Sequence, residues 1–157
     1  MKYLRERDDN CHYLCKIQAN IFAKSSKRNI PSCFFAKVFM CSKYASAMDD
    51  LTYLDSNISE EVIYQNIVNE IHMQRGIVYE DYIMEWIGYL YREWSYRLKI
   101  NSSYLIKKVP VTYLAKVYYP YHSLDILKAI QEIAKDRKIN LKNSLEDKMR
   151  IIMATLI

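Results

Sequence analysis

The chain has 157 residues, 51% apolar and 26% charged, with only two glycines and three prolines; these proportions exclude extensive disorder and leave too few turn residues for a sandwich or barrel. Counting Lys and Arg against Asp and Glu, the net charge of +5 divides into +6 over residues 1–48, −7 over 49–81, +4 over 82–118 and +2 beyond, and an acidic middle of this kind argues against a simple nucleic-acid arm. The length suffices to bury a core without disulfide or metal support, so one all-α domain over 1–157 is expected, a compact bundle of six to eight helices with a central aromatic-rich helix.

The first helix is predicted to start near Asp8 or Asp9 and to carry Leu14, Ile17, Ile21 and Phe22 at helical spacing until residues 25–29 end it. Pro31 suits the first turn of a second helix with Phe34, Phe35, Val38, Phe39 and Met40 on a wide apolar arc. Residues 49–55 read as a connector or one short turn. A third helix starts around Ser59, with Glu60 and Glu61 in its first turn, a stripe of Val62, Ile63, Ile67 and Ile71, and Gly76 as its stop.

The fourth helix is predicted from about Asp81 to Leu98, with Ile83, Ile87, Tyr91, Trp94 and Leu98 as its core face. Gly88 in its middle costs about 1 kcal/mol relative to Ala and is explained if another helix crosses closely there. Asn101 or Ser102 caps a short helix holding Tyr104, Leu105 and Ile106, and Pro110 opens another through Tyr113, Leu114 and Val117. Residues 118–122 break the pattern, after which Ser123 is expected to cap a helix through Leu124, Leu127, Ile130 and Ile133. The segment from Ser144 ends in an apolar turn that must dock on the domain or on a partner.

The four cysteines are Cys11, Cys15, Cys33 and Cys41, and no signal peptide or membrane-length apolar span is legible, so a cytoplasmic protein with reduced thiols is expected. Cys11 and Cys15 lie one helical turn apart beside His12, but no Cys-x-x-Cys or His-Glu-x-x-His pattern completes a site. No metal and no other cofactor is therefore expected. Gly76 and Gly88 are the only glycines, which excludes the Walker and dinucleotide-binding loops. His12, His72 and His122 are far apart and lie in no nucleophile motif, so no enzyme is expected.

Between Tyr79 and Tyr121 stand ten tyrosines and two tryptophans, more than a small core requires. On the fourth helix Tyr82, Trp86, Tyr89 and Tyr96 form a stripe to one side of the core face, with Arg92 among them. Tyr, Trp and Arg dominate binding hot spots, because large rigid side chains with a polar end lose little entropy on docking. These five residues are the candidate partner-binding set. The competing structural reading is a tyrosine layer closing over the core with its hydroxyls in water. A further alternative is single-stranded nucleic-acid binding, with Lys107 and Lys108 neutralising phosphate beside stacking rings.

The run Trp86-Ile87-Gly88-Tyr89-x-Tyr91-Arg92-x-Trp94-x-Tyr96, then Ser102-Ser103 with Ile106 and Lys108, then Tyr118-x-Pro120-Tyr121-His122-Ser123-Leu124-Asp125 and Ala129-Ile130, resembles a family of small helical bacterial antitoxin-like proteins. Ser32-x-Phe34-Phe35, with Phe39-Met40-x-Ser42, looks like another segment shared by that family. The resemblance implies a protein encoded beside a toxin, in some operons one that looks like an ADP-ribosyltransferase, and neutralising it by direct binding. Glu93 interrupts an aromatic run that is often continuous in the family.

Overall fold

In the computed structural model the described residues are 4–72, 75–139 and 141; they form eight α-helices and one 3-10 turn, with no strand among them. The apolar segment from Ser144 lies outside the described residues.

Asp8 starts α1 (Asp9–Lys27) by accepting the Cys11 amide at 2.9 Å, which satisfies one of the amides a helix start leaves unbonded. Helix α2 (Ser32–Met40) follows Pro31 and buries Phe35, Phe39 and Met40, leaving Phe34 at the surface. Ser42 caps α3 (Lys43–Asp49), a helix the sequence reading missed, and a 3-10 turn (Thr52–Asp55) occupies the expected connector. Ser59 caps α4 (Glu60–Asn69), which stops at Asn69 rather than at Gly76. Gly76 instead lies in the extended link to the next helix, where an added Cβ would meet the Pro31 Cβ at 3.0 Å. Val62, expected inward, is exposed, and Tyr64 takes the buried place beside Ile63 and Ile67.

Helix α5 (Asp81–Leu98) is the centre of the bundle, and its Ile83, Ile87, Tyr91, Trp94 and Leu98 are all buried as the spacing predicts. Its most extensive neighbour is α1. The crossing point is Gly88, where a Cβ would stand 2.9 Å from the Gln18 carbonyl oxygen and 2.9 Å from the Phe22 Cγ. Phe22 then packs edge-on against Phe35, Phe39 and Tyr91, which joins α1, α2 and α5 in one core. Each such fully buried ring contributes about 1.5–3 kcal/mol by leaving water.

Lys99 closes α5 in the left-handed conformation, with φ 55°. The short helices α6 (Ser102–Lys108) and α7 (Val111–Tyr121) follow, then α8 (Ile126–Asp136). Residues 118–121 continue α7 instead of breaking it, although Pro120 lies inside. A proline near an exposed helix end is tolerated because the carbonyl it fails to bond can face water. Asp125, not Ser123, caps α8 by accepting the Leu127 amide at 3.2 Å.

Candidate partner-binding surface

The five residues of the predicted stripe do not share one surface. Tyr82 is 43% exposed and Trp86 and Tyr89 are half-buried, whereas Tyr96 is 3% exposed and Arg92 is fully enclosed. As surface contacts, Arg92 and Tyr96 are corrected by the structure, and the cause differs for each.

Arg92 is the hub of a buried polar network. Its Nε donates to the Gln18 Oε1 at 2.8 Å, its Nη1 to the Asp49 carboxylate at 2.6 Å and its Nη2 to the Ser102 hydroxyl at 2.9 Å. Asp49 also accepts the Ser102 amide at 2.9 Å and the Ser102 hydroxyl at 2.6 Å, and the Gln18 Nε2 donates to the Gly88 carbonyl at 3.0 Å. One guanidinium thus ties α1, α3 and α6 to α5. Its planar fork suits three separate acceptors, whereas an ammonium would present a point charge.

Tyr96 is covered by the chain ahead of α1. Residues 4–8 run as a strap along the second half of α5: the Arg5 amide donates to the Arg97 carbonyl at 2.7 Å, and the Arg97 Nε donates to the Arg5 carbonyl at 3.2 Å. The Arg5 guanidinium lies 4.7 Å from the centre of the Tyr96 ring, and the Tyr96 hydroxyl donates to Asp8 at 2.7 Å. Burial, then the bond to the Asp8 carboxylate, pushes the Tyr96 phenol up to about 12. Tyr89 is held by the same strap, since the Arg7 Nη2 donates to its hydroxyl at 2.6 Å and the His12 Nδ1 lies 3.1 Å from it.

Beneath Arg7, Glu93 is wholly enclosed with Cys11 and Cys15, and burial raises its carboxyl above the ordinary range. The Arg7 Nε approaches one Glu93 oxygen at 3.0 Å and the Arg97 Nη1 approaches the other at 3.8 Å. These are ionic approaches without hydrogen-bond direction: among the described residues neither oxygen has a hydrogen-bond partner.

The first half of the stripe has a different setting. Tyr82 and Trp86 meet the end of α7, where Tyr118 lies 5.5 Å from Tyr82 and 5.6 Å from Trp86, centre to centre. The His122 ring stacks on Tyr118 at 4.3 Å, and the Tyr82 and Tyr119 hydroxyls are 3.1 Å apart. The bond to Tyr119 pushes the Tyr82 phenol up to about 12, with Glu80 adding to the effect, while burial, then Tyr119 and Glu85, raise the Tyr118 phenol. Tyr119 is 65% exposed. The result is an aromatic platform of Tyr82, Trp86, Tyr118, Tyr119 and His122, beside the acidic side chains Glu80 and Glu85.

Tyr118, Tyr119 and His122 were absent from the sequence-derived set. The signal available for them was the spacing of 118, 119 and 122, which lies on one helical turn once α7 is allowed to run through Pro120. Lys107 and Lys108 are exposed at the end of α6; Lys108 lies 5.5 Å over the Tyr104 ring, and Lys107 borders a groove of about 300 Å³ with Cys33, Lys37, Cys41, Ile106 and Pro110. Of the histidines, His12 contacts Tyr89, His72 is exposed, and His122 sets its Nδ1 2.9 Å from the Tyr118 carbonyl. No helix among the described residues is long and apolar enough to cross a membrane. Comparison of the chain with family models, with curated proteins and with solved structures finds no match.

Proposed function

We propose that the chain is a non-enzymatic antitoxin of the bacterial cytoplasm that neutralises a partner toxin by direct binding, and that the platform of Tyr82, Trp86, Tyr118, Tyr119 and His122 is the contact surface. The observation that carries this reading is the exposure of Tyr119 and Tyr82 as joined rings at the surface of an otherwise well-filled bundle. Exposed rings prearranged by their own contacts lose little freedom on docking, which favours them as binding anchors. Glu80 and Glu85 beside them complement a cationic rim, the charge expected of a toxin groove that receives an anionic substrate such as a dinucleotide. The resemblance of residues 86–96 and 118–125 to antitoxin-like proteins supplies the partner class.

The test is co-expression with the product of the adjacent gene, followed by purification of the complex. Tyr82→Ala with Tyr119→Ala removes two exposed rings without opening the core and is expected to weaken the complex at least about thirtyfold, the effect of one hot-spot loss of about 2 kcal/mol. A complex of unchanged affinity would remove the platform as the binding surface. Absence of both complex and growth rescue would remove the antitoxin reading itself.

A further inference from the structure

The strap covers a cluster with the donor set of a metal site. Cys11 and Cys15, on successive turns of α1, place their sulfurs 4.0 Å apart. Glu93 enters from α5, and the two sulfurs and a carboxylate oxygen all lie within 4.8 Å of one another with no exposure to solvent. Two thiolates bound at about 2.3 Å to one tetrahedral ion stand ~3.8 Å apart, so the sulfurs are already close to the spacing that zinc requires. Arg7 and Arg97 approach the buried Glu93 carboxylate as ions, but among the described residues neither oxygen accepts a hydrogen bond, and a buried acceptor left in that state is costly and expected to have a use.

We propose that Cys11, Cys15 and Glu93 form a binding site for one thiophilic divalent cation such as zinc, covered in the metal-free protein by Arg7. Arg7 is 42% exposed through its side chain and its guanidinium meets the Tyr89 hydroxyl and Glu93 at the surface, so that side chain can rotate out and admit the ion while the rest of the strap stays docked. In the metal-free state Arg7 and Arg97 offset the Glu93 charge; on binding, the cation takes over that role. The reaction is M²⁺ + 2 Cys–SH → M(S–Cys)₂ + 2 H⁺, with Glu93 adding its carboxylate and a water or an exogenous thiol completing the coordination. Both thiol protons go to solvent. Because binding releases two protons, affinity rises with pH.

Cobalt(II) alone is the probe, added to metal-free full-length protein carrying Cys33→Ser and Cys41→Ser so that the two exposed thiols cannot respond. The expected result is one equivalent bound, with the thiolate-to-cobalt charge-transfer absorption, displaced by zinc. Cys15→Ala abolishes that absorption and Glu93→Gln weakens binding at least about tenfold. Arg7→Ala tightens binding at least about tenfold by removing the like charge at the site, an outcome that a purely structural Arg7–Glu93 pair does not produce. Absence of the absorption in the Cys33→Ser, Cys41→Ser protein, its persistence in Cys15→Ala, or unchanged affinity in Arg7→Ala overturns the proposal. Should Cys15→Ala fail to fold by circular dichroism, the Arg7→Ala comparison decides.

Discussion

Gly88→Ala tests the packing of the bundle with a change of one methyl group. Helix propensity alone predicts a gain of about 1 kcal/mol, since alanine is the better helix former and the site is mid-helix. The crossing predicts the opposite. An added Cβ lies 2.9 Å from the Gln18 carbonyl oxygen, 2.9 Å from the Phe22 Cγ and 3.0 Å from the Phe22 Cβ. These are backbone and root atoms that cannot rotate away, and ordinary contacts between carbons need about 3.5–4.0 Å, so α1 must retreat. Overpacking of this kind costs about 1–3 kcal/mol, and the retreat also strains the bond from Gln18 to the Gly88 carbonyl, worth about 1 kcal/mol. Offsetting the propensity gain leaves a net loss of about 1–3 kcal/mol, or a fall in Tm of about 3–10 °C for a chain of this size. Urea unfolding followed by circular dichroism measures the effect. A Gly88→Ala protein as stable as its parent refutes the crossing geometry.

Asp49→Ala strands the buried Arg92 charge and is expected to cost about 3–5 kcal/mol by urea unfolding, while adding Arg92→Met recovers part of that loss because no unpaired charge remains. Burial raises the folded-state Glu93 carboxyl above its ordinary 4.5, so the fold favours the protonated form; on this group's account stability is full below the ordinary value and declines as pH rises through the raised one. Glu93→Gln removes that decline, and identical pH slopes for the two proteins would contradict the assignment. Tyr119→Phe breaks the bond that pushes the Tyr82 phenol up to about 12, so ultraviolet titration is expected to return one tyrosine toward 10; an unchanged profile would deny the pairing. Neutralising Lys107 and Lys108 leaves the toxin complex intact by pull-down, whereas its loss would move the interface to α6.

Helical class, the α5 core face and the close crossing at Gly88 were legible because apolar spacing and a mid-helix glycine report local geometry directly. The fate of the aromatic stripe was not. Tyr82, Trp86, Tyr89 and Tyr96 lie on one side of the helix, yet what covers each is decided by distant chain: the strap at residues 4–8 for Tyr96, and the end of α7 for Trp86. Arg92 looked like a surface cation because its three acceptors stand 74, 43 and 10 residues away. Glu93 looked like an interruption of an aromatic run, and only the packing of α1 on α5 brings Cys11 and Cys15 to it. Pro120 points in the other direction, since proline suggests a break where an exposed helix end tolerates one.

The network around Arg92 also constrains how this chain can diverge. Gln18, Asp49, Arg92 and Ser102 satisfy one another, so replacing Asp49 alone leaves the Arg92 charge unpaired and replacing Arg92 alone takes the guanidinium partner from the Gln18 amide oxygen. An apolar residue at 92 removes the need for an acceptor at 18, whereas Asp49 still accepts the Ser102 amide. In an alignment of relatives positions 18 and 92 are therefore expected to change together, and an acceptor at 49 to persist wherever Arg92 does. Tyr119, 65% exposed and tied to Tyr82 only at the surface, is freer to drift with whatever partner it meets.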